Sequence, residues 1–254
     1  MNRIQQFVDD ELDSFIAPPL ADLAAGPETQ TQDAHCIVTP LHYERNYAYP
    51  LIVWLHGPGD DERQVTRVMP HISARNYAAV GPRGTVAMED SPGHRWSQTL
   101  TDIARAEQRV LSAIAAARSW LNIAGSRVYL AGFGCGGTMA FRIALAQPRL
   151  FAGVLSFGGS FPRTLRPLSE IESARDLKIF VANGMESTQY PQHEMCHNLR
   201  LFHSAGLSLC LRLYPCADEL LSNMLSDMDR WIMDQLTSAS VPQSGGVSER
   251  SPRK

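Results

Sequence analysis

The chain has 254 residues, 44% of them hydrophobic, which is enough apolar material for one core of ordinary size. Its formal net charge of -3 gives no electrostatic reason to expect binding to nucleic acid or to an anionic membrane. No apolar run approaches the roughly 20 residues of a membrane-spanning helix, and the N-terminus carries acids where a secretory signal would be apolar. The 5 cysteines are odd in number and lack a CxxC spacing, which indicates reduced thiols. These features predict a cytoplasmic protein that spans no membrane.

The N-terminal 25 residues carry apolar side chains at three- and four-residue spacing, from Ile4 to Ile16, until Pro18 and Pro19 stop the pattern. The spacing predicts an amphipathic helix, an extension over residues 1–25 that packs on the domain. Contact with a membrane is less favoured, because the polar face of this helix is acidic rather than basic.

Strands and helices then alternate over residues 26–236, which predicts one α/β domain with a mainly parallel central sheet and helices on both faces. Apolar runs predict strands at 34–39, 50–55, 77–80, 128–131, 152–157, 177–182 and 207–213. The predicted helices are 65–74 (where Pro70 should kink or break the helix), 103–121, from Thr138 onward, 193–204 and 220–236. Residues 85–100 are predicted as a polar loop, and residues 237–254, rich in Ser, Pro and Gly, as a disordered tail.

The most informative stretch is residues 127–137, RVYLAGFGCGG, where a short apolar strand enters a glycine turn and an alanine-rich segment with helical spacing follows. Strand, sharp turn and helix are the geometry of a nucleophile elbow, in which Gly-x-Ser-x-Gly places a serine at the apex. Here the apex is Gly134, which has no side chain.

Four further motifs each lie at the carboxyl end of a predicted strand: Leu55–Asp61, Gly81–Arg83, Asn183–Pro191 and Tyr214–Leu220. With the elbow, and in this order, they resemble the phospholipase/carboxylesterase (acyl-protein thioesterase-like) branch of the α/β-hydrolases. The resemblance covers about residues 48–236. It implies an α/β-hydrolase fold and a catalytic triad in the chain order Ser, Asp, His.

Carried onto this sequence, the resemblance places the serine position on Gly134, the acid position on Ser187 and the histidine position on Asp218. All three are substituted. Glycine supplies no nucleophile, and an aspartate with a reference pKa of about 3.9 is a poor base at neutral pH.

The resemblance also locates the oxyanion hole, at Gly57, Pro58 and Cys135. The first donor would be the backbone of Pro58, which has no N–H, and the second would be the backbone of Cys135. The sequence therefore predicts a pseudo-esterase that uses no metal or other cofactor. It would keep at most a cleft for a small acyl-like ligand or a protein partner.

One alternative is an active ester or thioester hydrolase with a rearranged site. Cys135 would then be a displaced nucleophile, although no base is placed for it. Glu186, beside the acid position, could take the acid role, and His56, His94 and Trp96 are candidate pocket residues in the loops after strands.

Two other patterns point to different chemistry. His193 and His197 have the i, i+4 spacing of a metal pair, but no acidic third ligand is clearly placed, which favours a surface helix. Gly132-x-Gly134-x-x-Gly137 matches the dinucleotide-binding fingerprint. The next strand ends in Phe157-Gly158-Gly159, where that fold would carry an Asp or Glu for the ribose.

Overall fold

The computed structural model describes residues 34–162 and 171–238, so the predicted helical extension over 1–25 and nearly all of the predicted tail lie outside the described residues. The strands are β1 (His35–Val38), β2 (Tyr49–Leu55), β3 (Ala78–Pro82), β4 (Val86–Ala87), β5 (His94–Arg95), β6 (Ile123–Phe133), β7 (Gly153–Phe157), β8 (Lys178–Gly184) and β9 (Leu209–Tyr214). The helices are α1 (Gln64–Ile72), α2 (Leu100–Trp120), α3 (Cys135–Ala146), α4 (Ile171–Ala174), α5 (Gln192–Ser204) and α6 (Ser222–Ser238), with a 3-10 turn at Pro148–Leu150.

Seven strands form one sheet in the order β1-β3-β2-β6-β7-β8-β9. Every neighbouring pair is parallel except β1 and β3, so the predicted mainly parallel sheet is confirmed. The chain moves from β2 outward to β3 and then returns to place β6 on the other side of β2. Open parallel sheets bind ligands at the carboxyl ends of strands at such a reversal point. Here Leu55 pairs with Gly132, so the loops after β2 and β6 emerge side by side.

Both faces of the sheet are covered by helices, as the continuously apolar strands predict. On β2, Leu51, Val53 and Leu55 face a core layer that includes α2 and α3. Ile52 and Trp54 face the opposite layer, which includes α1 and α6. All seven residues of β2 are buried, which fixes it at the centre of the molecule.

The predicted polar loop over residues 85–100 is partly wrong, because β4 and β5 pair there as a short antiparallel hairpin. Strands of two residues are too short to show an alternating pattern in the sequence. Helix α2 also begins earlier than predicted, at Leu100, because Thr99 caps it by accepting a hydrogen bond from the Asp102 N–H at 3.2 Å.

Two other boundaries differ from the prediction. Helix α1 continues through Pro70 to Ile72, so the proline lies in the last turn and does not break the helix before it. Helix α6 continues through Ser238, two residues beyond the predicted end of the last helix at residue 236. Within the described ranges, no helix combines the length and the apolar character that crossing a bilayer requires.

Candidate active site

The elbow turn joins β6 to α3, and Gly134 is its apex. Its backbone has φ 53 and ψ -120, a conformation that residues with a side chain adopt only under strain. The Gly134 N–H donates to the Phe157 carbonyl at 2.8 Å, and the Gly134 carbonyl accepts from the Thr138 N–H at 3.1 Å. The turn of a nucleophile elbow is therefore present, and its apex carries no nucleophile.

The glycines around the apex allow a close approach of backbones. A Cβ atom built on Gly136 would lie 2.2 Å from the Leu55 carbonyl oxygen, and one on Gly132 would lie 2.5 Å from the Gly136 carbonyl carbon. Helix α3 therefore begins at Cys135, before the predicted start at Thr138, although glycine is a poor helix former. In this chain Gly132 of the fingerprint and the neighbouring Gly136 serve strand–helix packing.

Pro58 lies against the empty apex. A Cβ atom on Gly134 would lie 3.2 Å from Pro58 Cδ, which is tighter than most contacts of real side chains. The proline ring thus occupies the space beside the position from which a serine would project. Pro58 also supplies no N–H, so the first predicted oxyanion donor is absent.

The residues on either side of Pro58 direct their N–H groups elsewhere. The Gly57 N–H donates to Gln64 Oε1 at 3.1 Å, and the Gly59 N–H donates to the His94 carbonyl at 3.0 Å. A side chain at position 57 is also excluded, because its Cβ would lie 2.5 Å from Phe133 Cδ1. Residues 57–59 of the loop after β2 therefore have no N–H group free to donate to an oxyanion.

The acid and histidine positions meet in space. Ser187 follows β8 and Asp218 follows β9, and the Ser187 hydroxyl donates to Asp218 Oδ1 at 2.5 Å. Thr188 donates to Asp218 Oδ2 through both its N–H (3.1 Å) and its hydroxyl (2.6 Å). The Gln189 N–H donates to Oδ1 at 3.2 Å. The contact expected between an acid and a histidine is thus replaced by an aspartate that holds the loop after β8.

This hydrogen bonding decides the charge state of Asp218. Burial alone would raise the pKa of Asp218, but hydrogen bonds from Ser187 and Thr188 outweigh burial and hold the pKa below its ordinary value. An ionised carboxylate that already accepts four hydrogen bonds is a poor base for removing a proton from a nucleophile. The sequence locates Asp218 but does not indicate Thr188, which donates through its N–H and its hydroxyl, or Gln189, which donates through its main-chain N–H.

Two of the predicted pocket residues lie inside the core. His56 and Trp96 are 0% and 2% exposed, and their ring centroids are 5.4 Å apart. His56 Nδ1 lies 2.8 Å from the Gly57 carbonyl oxygen, and His56 Nε2 accepts from the Gly84 N–H at 2.8 Å. The Trp96 indole N–H donates to the His56 carbonyl at 3.1 Å. The neutral His56 ring thus joins the loops that follow β2 and β3.

His94, the third predicted pocket residue, lies in β5. Its main chain binds the loop after β2, since its N–H donates to the Asp60 carbonyl at 2.7 Å and its carbonyl accepts from Gly59. Burial, and then the nearby charge of Arg83, lower the pKa of His94. The hairpin of β4 and β5 therefore holds the loop after β2 through main-chain hydrogen bonds, and the His56 ring contacts the same loop.

The environment of His56 predicts a pH-dependent stability. Burial lowers the pKa of His56 below the ordinary value of 6.5. The unfolded chain therefore binds a proton at a pH where the folded chain does not, so this stability is present above about pH 6.5 and is lost as the pH falls below it. We expect the free energy of unfolding in urea to fall as the pH drops below about 6.5, with a slope from this residue of at most about 1.4 kcal/mol per pH unit.

The matched variants are His56→Gln, which removes the titrating ring, and His193→Gln on the exposed face of α5. His56→Gln should reduce the pH dependence below about pH 6.5, and His94, whose pKa is also lowered by burial, accounts for part of what remains. His193→Gln should leave the pH dependence as in the wild type. Equal slopes for the wild type and His56→Gln would contradict the assignment.

Cys135 begins α3, half-buried beside Trp96. Burial raises the pKa of the Cys135 thiol, and the backbone N–H groups of Trp96 and Gly136 reduce that rise without reversing it. A thiol with a raised pKa holds little thiolate at neutral pH, which is the opposite of an activated nucleophile. All 5 cysteines are free, and Cys196 is exposed on α5.

Iodoacetamide should therefore alkylate Cys196 before Cys135, with Cys135 slower by about tenfold or more at neutral pH. Peptide mass spectrometry after timed labelling of the native chain measures both rates. A Cys135→Ser variant should leave the rate at Cys196 unchanged. Fast labelling confined to Cys135 would instead support a displaced nucleophile.

The remaining predicted residues lie on α5 and in the loop after β8. His193, Glu194, Cys196, His197 and Arg200 line a shallow cleft of about 570 Å³ on α5. Among the described residues, no group of three or more His, Cys, Asp or Glu side chains could hold a metal ion. Glu186 is an exposed residue beside Ser187. These placements favour the interpretation of α5 as a surface helix.

Sheet order, elbow geometry and the meeting of the loops after β8 and β9 define an α/β-hydrolase. The model of the phospholipase/carboxylesterase family matches residues 41–234. The chain therefore belongs to the phospholipase/carboxylesterase family. No curated protein sequence is similar enough to this chain to match it.

Solved structures share the fold at low sequence identity. The Bacillus cereus carboxylesterase is 15% identical with a TM-score of 0.62, over 79% of this chain and 93% of that chain. Arabidopsis thaliana SOBER1 is 18% identical with a TM-score of 0.62, over 74% of this chain and 100% of that chain. The Mesorhizobium loti carboxylesterase is 15% identical with a TM-score of 0.62, over 72% of this chain and 88% of that chain. Similarity at this level shows the fold alone.

Proposed function

We propose that this chain is a pseudo-esterase, a phospholipase/carboxylesterase family member that lacks serine-hydrolase chemistry. It keeps at most a cleft for a small acyl-like ligand or a protein partner. The observation that carries this proposal is the elbow, where Gly134 keeps φ 53 and ψ -120 while Pro58 Cδ lies 3.2 Å from the position of the missing Cβ. Acyl transfer needs an attacking oxygen or sulfur at that point, and none is present.

The other parts of the site support the same conclusion. Asp218 stands at the position of the base, and it is ionised and engaged by four donors. Losing a triad costs on the order of a million-fold in rate. Losing one oxyanion donor costs roughly 3 kcal/mol in known cases, and Pro58 lacks that donor.

The two alternatives have less support. An active hydrolase with a rearranged site would need Cys135 as its nucleophile, and burial raises the pKa of that thiol. Dinucleotide binding would need the backbone of Gly134 open to a pyrophosphate, and Pro58 lies against it. No cofactor and no nucleic acid enters the proposal.

The proposal includes a cytoplasmic location and a single domain. The 5 free cysteines support a reducing compartment, since secreted chains commonly pair theirs. The domain would run from residue 26 to the end of α6, flanked by a helical extension over residues 1–25 and a disordered tail.

A fluorophosphonate probe tests the proposal, because such probes phosphonylate an activated serine and release fluoride. We expect the intact mass of the native chain to stay unchanged, while an active serine hydrolase in the same tube gains one adduct. A stoichiometric adduct on the native chain, absent after unfolding, would overturn the proposal, and peptide mapping would identify the nucleophile.

A further inference from the structure

Large apolar side chains are exposed at the amino-terminal edge of the sheet, opposite the elbow. Trp120, the last residue of α2, is 66% exposed. Tyr47 and Leu41, between β1 and β2, are 48% and 37% exposed. We call Leu41, Tyr47 and Trp120 the aromatic surface.

Asn122 holds the two segments of the aromatic surface together. Its N–H donates to the Tyr43 hydroxyl at 2.7 Å, and its side-chain amide donates to the Arg45 carbonyl at 3.0 Å. Its carbonyl accepts from the Tyr49 N–H at 2.9 Å. Tyr47 in turn packs edge-on against Tyr49, with ring centroids 4.6 Å apart. The exposed rings therefore stand on a braced part of the fold.

The exposure of Trp120 is unusual for this chain. The other three of its 4 tryptophans, Trp54, Trp96 and Trp231, are 1%, 2% and 8% exposed. Leu41, Tyr47 and Trp120 all lie at the same end of the sheet, and exposed apolar side chains that gather in one region mark interaction sites more often than isolated ones do. The aromatic surface therefore indicates a docking site.

Three exposed arginines lie close in sequence to the residues of this surface. Arg118 lies two residues before Trp120 in α2, and Arg45 lies two residues before Tyr47. Arg75 follows Ala74, whose carbonyl accepts from the Leu41 N–H at 2.7 Å. All three arginines are exposed, and Glu44 is the one acid within residues 41–47. The surface thus fits a partner that is both apolar and acidic.

The chain itself contains such a segment. Residues 4–16 place Ile4, Phe7, Val8, Leu12, Phe15 and Ile16 on one side of a predicted helix, and the intervening sequence supplies the acids Asp9, Asp10, Glu11 and Asp13. The other terminal segment has the wrong charge, because residues 239–254 carry Arg250, Arg253 and Lys254 against Glu249. We propose that residues 4–16 dock on the aromatic surface, with their acids beside Arg45, Arg75 and Arg118.

The connection is long enough for this docking. β1 starts at His35, opposite Pro82 at the carboxyl end of β3, so the chain enters the described part on the other edge of the sheet. The 17 residues from 17 to 33 can span up to about 55 Å when extended. A seven-residue strand such as β2 is only about 23 Å long. The linker can therefore cross the height of the sheet.

Trp120 reports on this docking, since residues 1–33 contain no tryptophan. In the full chain we expect Trp120 to be protected from acrylamide quenching, with its contribution isolated by subtracting a Trp120→Phe variant. Phe7→Asp/Leu12→Asp should raise the quenching of Trp120 and shift its emission to longer wavelength. The control Asn2→Asp/Gln6→Asp adds the same charge on the opposite face of the predicted helix and should behave as the wild type.

Two results would overturn the proposal. Equal quenching of Trp120 in the wild type, the test variant and the control would mean that residues 4–16 do not cover it. Protection that increases with protein concentration, together with a dimer in light scattering, would mean that a second copy covers the surface. Urea unfolding of each variant shows that the domain itself is unchanged.

Discussion

Replacing Asp218 with alanine should destabilise the folded domain by about 3 kcal/mol, because four hydrogen bonds to one carboxylate are lost together. The variant leaves the Ser187 hydroxyl and the N–H groups of Thr188 and Gln189 without their acceptor. Hydrogen bonds to charged groups contribute about 1.5 to 3 kcal/mol each, and the partial exposure of Asp218 reduces their sum. Urea unfolding at pH 7 measures the difference.

The neighbouring residue supplies the matched control. Glu219→Ala removes a carboxylate one position along the same loop and should change stability by less than about 0.5 kcal/mol. Asp218→Asn keeps the shape but turns an amide N–H₂ toward donors, so it should lose most of the same free energy. A cost below about 0.5 kcal/mol for Asp218→Ala would show that water replaces the carboxylate and that the loop does not depend on it.

The difference in unfolding free energy between the wild type and Asp218→Ala should depend on pH, and the pKa of Asp218 sets the direction. The folded pKa of Asp218 lies below its ordinary value of 3.8. The stability it contributes is therefore fully present above about pH 4 and is lost as the pH falls through the folded pKa. This difference in unfolding free energy should therefore close at acid pH, as Asp218 becomes protonated.

Rebuilding the site should create a hydrolase. We expect Pro58→Ala/Gly134→Ser/Ser187→Asp/Asp218→His to hydrolyse p-nitrophenyl butyrate at least about a thousand-fold faster than the wild type, a part of what a triad contributes. The elbow already has the required turn, and positions 187 and 218 are already in contact. Alanine at position 58 restores an N–H and removes the ring atoms that crowd the new serine.

The variant that keeps Pro58 isolates the role of the proline. Gly134→Ser/Ser187→Asp/Asp218→His should be slower than the quadruple variant by about a hundred-fold, the effect of one missing oxyanion donor. Because Asp218→His also removes the loop's acceptor, the folded fraction of each variant must be measured by unfolding and used to correct its rate. A folded but inactive quadruple variant would contradict the claim that the architecture of the site survives.

The sequence predicts the parts of this site that depend on residue type. The continuously apolar 50–55 run predicts a strand buried on both faces, which β2 is. The glycines on both sides of position 134 fix the register of the elbow, and Asn183, Gly184 and Pro191 fix the register of the loop after β8. Ser187 and Asp218, assigned separately from the resemblance, are in direct contact.

The sequence does not predict the parts that depend on main-chain direction. Two of the four hydrogen bonds to Asp218 come from backbone N–H groups, those of Thr188 and Gln189. The hydrogen bond that holds Gly59 comes from a hairpin whose strands are two residues long. The start of α3 at Cys135 follows from the approach of Gly136 to Leu55, a tertiary contact that outweighs the low helix propensity of glycine. The contact between Pro58 and Gly134 is likewise tertiary.

Turnover of p-nitrophenyl butyrate and of a butyryl thioester by the purified wild-type chain tests the loss of hydrolase chemistry most directly. The predicted result is a rate equal to that of the same protein after unfolding. A rate above that background, carried by the native chain and abolished by one substitution such as Cys135→Ala, would show a working hydrolase with a rearranged site and contradict the proposal.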